Sequence, residues 1–336
     1  MADNNGSVLQ GPILVTGASG FLGGHVCHAL AASRVEVRAL VRSMSSPPQS
    51  PGLHLCCGDL HNRKALRQAL EGVRSVIHLA GRAHVLRENM QDPLTEFRRM
   101  NVEGTRQLLE EAATAGVERF VFASSVAAMG TISNEILTEQ TTALPDSPYG
   151  ISKLESEQVV KQVCENSGMS FTILRPPMVY GPGMKGNPLR LFRVIARGVP
   201  LPLGAVRNRR SLLYVGNLAA ALEAVLTSAA ARNQIFLVGD SEAVSSPQLV
   251  RKVARAMGKR ARLVSISPAL LRASGHAGDI VRKAIPFPLN SDVIERVVGS
   301  REVDYSKLRR MTKYQPHHTM DEGLAITADW YQRVSR

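Results

Sequence analysis

The sequence predicts an α/β fold: a doubly wound parallel sheet with helices on both faces, followed by a smaller C-terminal lobe. Three observations predict it. Short β-branched runs alternate with helical stretches between residues 13 and 175, and such alternation implies right-handed crossovers between parallel strands. A glycine-rich turn, Thr16-Gly-Ala-Ser-Gly-Phe-Leu-Gly23, follows the first strand directly and opens a helix. After Pro176 the alternation breaks into segments rich in proline and glycine.

The elements follow in order. Ile13-Leu-Val-Thr16 reads as a buried strand, and Phe21 to Ser33 as a helix. Val35 to Val41, Leu53 to Cys56 and Ser75-Val-Ile-His-Leu79 are the next three strands. Leu94 to Ala115 is a long helix, and Arg119-Phe-Val-Phe-Ala-Ser124 a fifth strand. Tyr149 to Ser167 is helical and Phe171-Thr-Ile-Leu-Arg175 is the sixth strand. Regularity returns with a helix at Val215 to Ser228 and a strand at Gln234 to Val238.

A chain of 336 residues is long enough for a large core in two lobes. No run of about 18 apolar residues is present, so no membrane span is expected. The start, Met1-Ala-Asp-Asn-Asn-Gly6, lacks the basic and apolar regions of a signal peptide. Cys27, Cys56, Cys57 and Cys164 fit no zinc spacing and no disulfide framework. Buried free thiols, no metal and a cytoplasmic protein are the expectation. Lys and Arg number 41 against 28 Asp and Glu, a net charge of +13. Such a balance favours anionic partners. The densest cluster runs from Arg251 to Arg262 and reads first as a solvated helix face. It leaves peripheral attachment to an anionic membrane open. No zinc finger, RNA-binding signature or recognition helix points to nucleic acid.

Gly17, Gly20 and Gly23 close the turn, let backbone approach a pyrophosphate and let helix pack on strand. The helix N-terminus then offers free N–H groups and a positive dipole end to phosphate. Gly17, Ser19, Gly20, Phe21, Leu22 and Gly23 are therefore candidate contacts to a dinucleotide, and the sheet is of Rossmann type. NAD selectivity usually needs an acid at the end of the second strand. Here the run is Ala39-Leu-Val-Arg42-Ser43. Arg42 could hold a 2′-phosphate, which favours NADP(H), with NAD(H) as the alternative. Asp59 could reach an adenine amino group or cap the next helix.

Tyr149 and Lys153 stand four residues apart, on one face of a helix. A nearby ammonium favours the phenolate, bringing the phenol toward proton transfer near neutral pH.

Together these pieces resemble the extended short-chain dehydrogenase/reductase family of nucleotide-sugar epimerases, dehydratases and ketoreductases. The matching stretches are Thr16–Gly23, Gly58-Asp-Leu60, His78-Leu-Ala-Gly81, Asn101-Val-Glu-Gly-Thr105, Phe122-Ala-Ser-Ser125, Tyr149-x-x-x-Lys153 and Arg175-Pro-Pro-Met-Val-Tyr-Gly-Pro-Gly183. A closer likeness, in Gly81–Val85, Gly186–Leu189 and Pro200–Ser211, is to bacterial UDP-hexose or UDP-N-acetylhexosamine 4-epimerases and 4-ketoreductases of polysaccharide biosynthesis. The resemblance implies that Tyr149 is the acid/base. Lys153 would hold the nicotinamide ribose and lower the Tyr149 pKa. Ser125 would bond the reacting sugar oxygen. Leu60, Ala80 and Gly81 would line the cofactor. Arg210 and Arg296 would take the substrate diphosphate, Asn187 and Leu189 the nucleotide, and Arg82 and His84 the sugar pocket. A homodimer through the helices near 94–115 and 149–167 is implied too. The expected division is a cofactor lobe, 11–175 plus 211–240, and a nucleotide-sugar lobe, 176–210 plus 241–336.

Three activities fit: NADPH-dependent reduction of an N-acetylated UDP-4-keto-hexose at C4, NAD-dependent 4-epimerisation, or cofactor binding without chemistry. The missing acid at Val41 favours reduction. Dehydratases carry an Asp-Glu pair after the active-site hydroxyl residue, where this chain has Val126-Ala127, so dehydration is not expected.

Overall fold

The first strand, β1 (Ile13–Thr16), is four residues long and buried throughout, as expected of a strand covered on both faces. The computed structural model containing it describes residues 11–44, 52–83, 92–240, 242–282 and 290–335. In chain order the first half continues with α1 (Phe21–Ala32), β2 (Val37–Val41), β3 (Leu53–Cys57), α2 (Arg63–Leu70), β4 (Ser75–His78) and α3 (Pro93–Phe97). A π-helical stretch, Arg98–Glu103, then leads without a break into α4 (Gly104–Thr114). The single long helix expected from residue 94 to 115 thus carries a widened turn in its middle. Next come β5 (Arg119–Ala123), α5 (Pro148–Ser167) and β6 (Ser170–Arg175).

Seven strands form one parallel sheet in the order β3-β2-β1-β4-β5-β6-β9, where β9 is Gln234–Leu237. The order reverses between β1 and β4. A crevice therefore opens beyond their C-terminal ends, the place where doubly wound sheets bind ligands. Burial follows position: every residue of β5 and β6 is buried, whereas edge strand β3 is only partly covered. One face of the sheet is covered by α1 together with α7 (Val215–Thr227), and α2, α4 and α5 cover the other. The thiols of Cys27 and Cys164 are buried and pushed up to about 12 by desolvation. Cys57 is exposed and Cys56 only partly covered, so the expectation of four buried thiols holds for two.

The segment after Pro176 contains a two-stranded parallel pair, β7 (Met178–Tyr180) and β8 (Leu212–Tyr214), with α6 (Asn187–Ala196) between them in sequence. The remaining helices are α8 (Ser246–Ala256), α9 (Pro268–Arg282), α10 (Ser291–Val298), α11 (Ser306–Thr312) and α12 (Met320–Val334). A separate apolar cluster fills this region, with Phe192 and Ile195 of α6 against Val250 and Val253 of α8 and Leu324 of α12. Buried Asp240 ties it to the sheet, accepting from Tyr214 N at 3.0 Å, Asn217 Nδ2 at 2.7 Å and the Tyr180 hydroxyl at 3.2 Å. Among the described residues no helix is long and apolar enough to cross a membrane.

Candidate active site

The glycine turn lies at the C-terminal end of β1. Gly17 has φ +70°, and a Cβ there would lie 2.7 Å from Ala80 N. Only glycine lets the turn pass this close to the chain leaving β4. At Gly23 a Cβ would fall 2.1 Å from Gly17 O. Gly20 starts α1 with no side-chain cap, and the first turn holds no acidic residue. The first N–H groups of α1 are thus free to meet an anion. Ser19 is exposed at the turn, and Phe21 and Leu22 are half-buried beside it. The chain leaving β4 is fixed from below. Ala80 N donates to Thr16 Oγ1 at 3.2 Å, and hydrogen bonds join His78 to Thr16 at 2.6 Å and to Thr105 at 2.9 Å. Burial pushes His78 down to about 3, so it stays neutral. The cradle fits a dinucleotide: positive φ at its entrance, no room for side chains, and unclaimed N–H groups.

Arg42 is exposed at the end of β2, with no salt bridge among the described residues. Asp59 accepts from His61 N at 2.9 Å. It does not cap α2; Asn62 does, accepting from Ala65 N at 3.1 Å. Asp59 is left half-buried beside buried Leu60.

The reactive groups gather where β5 ends. Ser147 caps α5, accepting from Gly150 N, and Pro148 begins the helix with φ already set. Tyr149 and Lys153 therefore occupy its first two turns. Ser125 follows β5 and accepts from Ala127 N at 3.1 Å. It also hydrogen-bonds the Tyr149 phenol. Burial raises the Tyr149 pKa, while the Ser125 hydrogen bond and the charge of Arg301 pull it back down. Lys153, one turn further along α5, is engaged by the end of β5. Its Nζ donates to Ala123 O at 2.7 Å and sits 4.1 Å from the centre of the Phe122 ring. Desolvation drops Lys153 itself to about 7, against a smaller opposing pull from Glu157. The cation that lowers Tyr149 is thus Arg301, with Lys153 directed to the strand end.

Glu157, one turn beyond Lys153, holds these elements together. Buried Arg175 grips it through two bonds, at 2.9 and 2.7 Å, and Ser124 donates to it at 2.5 Å. Ser124 is therefore structural, and Ser125 is the hydroxyl facing the cleft. Asn101, in the π-helical stretch, accepts from Arg82 N at 2.7 Å and donates to Arg82 O and to Ser152. It ties the loop after β4 to α5.

Three arginines, Arg210, Arg296 and Arg301, flank this cluster. Arg210 donates to the carbonyls of Arg296 and Gly299, and burial, with repulsion from Arg301, lowers it to about 10. Arg301 donates to Gly130 O at 3.3 Å. Its backbone runs beside the neighbours of Arg210, with Arg301 N donating to Arg209 O and Ser211 N to Arg301 O. None of the three forms a salt bridge among the described residues, although Arg209 pairs with Glu302. Positive charge in excess of the nearby Asp146 therefore lies close to Tyr149, as an anionic substrate requires.

The sequence reading missed Arg301. It lies in irregular chain, and only long-range pairing with 209–211 brings it to the site. Of the other expected residues, Arg82 has its guanidinium beside Glu96 at 3.3 Å. Asn187 is the exposed first residue of α6, which Gly186 caps, and Leu189 packs on the second apolar cluster. Arg296 is exposed on α10. His84 lies outside the described residues.

Comparison with known proteins gives the same picture. A UDP-glucose 4-epimerase of Vibrio cholerae is 33% identical over 328 residues, covering 96% of each chain. An Escherichia coli O157:H7 N-acetyl-alpha-D-glucosaminyl-diphospho-ditrans,octacis-undecaprenol 4-epimerase is 27% identical over 325 residues, covering 95% of this chain and 94% of its own. Among solved structures, MoeE5 in complex with UDP-glucuronic acid and NAD superposes with a TM-score of 0.77 at 28% identity, over 96% of this chain and all of its own. The NAD dependent epimerase/dehydratase family matches residues 13–239. On fold, site and these matches, the chain belongs to the NAD dependent epimerase/dehydratase family, enzymes of the extended short-chain dehydrogenase/reductase type.

Proposed function

We propose that this chain is an NAD-dependent 4-epimerase of a UDP-hexose or UDP-N-acetylhexosamine. The observation that carries the proposal is the Ser125–Tyr149 pair, set between a dinucleotide cradle and three arginines that form no salt bridge among the described residues. The likeness to the Vibrio cholerae 4-epimerase along nearly the full length supports epimerisation. NAD in the MoeE5 structure supports the cofactor. In this reading 11–175 plus 211–240 carries the cofactor, and 176–210 plus 241–336 carries the nucleotide sugar. A homodimer in the cytoplasm belongs to the same reading.

The nicotinamide cofactor, when bound, would accept a hydride from sugar C4 and, once the keto-sugar has turned over, return it to the opposite face. Gly17, Gly20 and Gly23 admit its pyrophosphate to the N-terminus of α1. Ala80 and Gly81, in a loop tethered by Thr16 at Ala80 and by Asn101 at Arg82, would line it. Tyr149 removes the proton from the C4 hydroxyl as hydride leaves, and gives it back as hydride returns. Ser125 bridges Tyr149 and the sugar oxygen, steadying charge on that oxygen. Lys153, with its low proton affinity, offers N–H donors to the ribose. Arg210, Arg296 and Arg301 take the diphosphate and hold the sugar close to Tyr149. Val126, next after Ser125, is buried and apolar, so nothing there can move the protons that dehydration demands.

One observation favours a second reading. Val41 is buried and Arg42 exposed at the end of β2, so no acid stands ready for a ribose 2′-hydroxyl. That arrangement suits NADP(H) and reduction of an N-acetylated UDP-4-keto-hexose at C4. Purified protein should separate the two. The epimerase retains NAD and equilibrates UDP-glucose with UDP-galactose, or the N-acetyl pair, without added cofactor. A protein free of nicotinamide that consumes NADPH with a UDP-4-keto-hexose, and does not equilibrate epimers, would overturn the first reading.

A further inference from the structure

The net charge of +13 has a location. Residues 184–222 and 243–278 hold fourteen Lys and Arg and no Asp or Glu. The rest of the chain holds 27 cations against 28 acids and is close to neutral. The whole surplus therefore sits in two stretches of the C-terminal half. Arg209 and Arg272 pair with acids from other segments, and so does Lys252, while Arg210 belongs to the site above. Most of the others point to solvent.

The fold brings these stretches onto one side. The buried face of α6 (Phe192, Ile195) packs on the buried face of α8 (Val250, Val253). Helical spacing then turns Arg190, Arg193 and Arg197 outward together, with Arg255 outward from α8. Just beyond the two helices the chains pair. Leu201 N donates to Arg262 O at 2.8 Å, and Val264 N donates to Leu201 O at 2.9 Å. Leu263 faces inward at the pairing, so Arg262 and Val264 face out. The four outward cations of α6 and α8, with Arg262, have no salt-bridge partner among the described residues. Exposed apolar side chains lie in the same segments: Val199, Val264 and Leu270. No aromatic side chain is exposed in either stretch; Phe192 and Tyr214 are both buried.

We propose that this face docks on an anionic phospholipid surface. Unpaired guanidinium groups attract lipid phosphates and interleaved aliphatic side chains enter the headgroup layer, whereas single-stranded nucleic acid would call for exposed aromatic platforms. Docking is peripheral, and it is set by charge and therefore by salt.

The test is co-sedimentation of the full chain with vesicles of phosphatidylglycerol and phosphatidylcholine in equal parts, at low and high salt. Pure phosphatidylcholine vesicles and a random-sequence DNA duplex serve as competing surfaces. Binding is expected to the anionic vesicles only, and to vanish at high salt. Each cation near the surface contributes about 1 kcal/mol, or roughly fivefold in affinity. A variant carrying Arg193→Glu, Arg197→Glu, Arg255→Glu and Arg262→Glu should therefore bind at least about 100-fold more weakly. Its turnover and circular dichroism should match wild type, showing that the fold is intact. Three results would overturn the proposal: no binding to anionic vesicles at low salt, undiminished binding by the variant, or tighter binding to the duplex than to the vesicles.

Discussion

Replacing Lys153 with methionine should abolish most activity and yet make the empty protein more stable. Lys153 is buried on α5, bonded to Ala123 O and stacked over Phe122. Burial moves its pKa from 10.5 to about 7. At 1.36 kcal/mol per unit, the shift corresponds to about 5 kcal/mol held against the charged form. The sign follows from proton counts. Above about pH 10.5 the amine is neutral in both states and costs nothing. Between pH 10.5 and 7 the unfolded chain binds the proton and the folded one does not, so stability falls as pH falls, by about 1.4 kcal/mol per unit. Below about pH 7 both states are charged and the penalty is constant. Methionine fills similar volume without that penalty. It leaves the Ala123 carbonyl unpaired, at a cost of about 1–3 kcal/mol. It also loses a cation–π contact worth on the order of 1–2 kcal/mol. The net gain is about 0–3 kcal/mol at neutral pH and reverses near pH 10. Urea denaturation of cofactor-free wild type and variant at several pH values measures it. A Lys153→Met protein less stable than wild type at pH 7, or a stability difference that does not change with pH, would refute the reasoning.

Three more predictions concern neighbouring groups. Glu157→Gln leaves Arg175 buried without its counter-charge and should cost about 3–5 kcal/mol, read from the urea midpoint. His78, held neutral with a pKa near 3, makes stability fall as pH drops from about 6.5 to 3, by up to about 1.4 kcal/mol per unit; His78→Asn should flatten that slope in acid titration followed by circular dichroism. Arg301→Gln removes a charge that lowers the Tyr149 pKa, so the rising alkaline limb of kcat/KM should move to higher pH, and Arg301→Lys should largely restore it.

Much of this was legible in the sequence where chemistry and local structure coincide. The turn from Thr16 to Gly23 is constrained by its own backbone, so its glycine spacing shows in the sequence. Tyr149 and Lys153 share a face of a helix that Ser147 and Pro148 begin, and helical spacing alone relates them. Ser125 follows a strand whose apolar run is unmistakable. What could not be read depends on tertiary pairing. Arg301 reaches the site through hydrogen bonds to residues 209 and 211, and no periodicity marks the irregular chain around it. Where the Lys153 side chain points was not legible for a similar reason. Four-residue spacing fixes which face it shares with Tyr149, but the carbonyl of Ala123, thirty residues earlier, decides where its Nζ points. The pair β7 and β8 went unseen because each strand has three residues, in segments dense with proline and glycine. Asn101 stood within a recognised motif. Its task of joining Arg82 to Ser152 depends on the widened turn that aims it.

The most direct test of the account is turnover of UDP-glucose or UDP-N-acetylglucosamine to the 4-epimer by Tyr149→Phe beside wild type, with bound nicotinamide measured in both. The account predicts equal cofactor content and a fall in kcat of roughly 10²–10⁴-fold, the range that general acid–base groups contribute. Turnover within about threefold of wild type, at equal cofactor content, would contradict it.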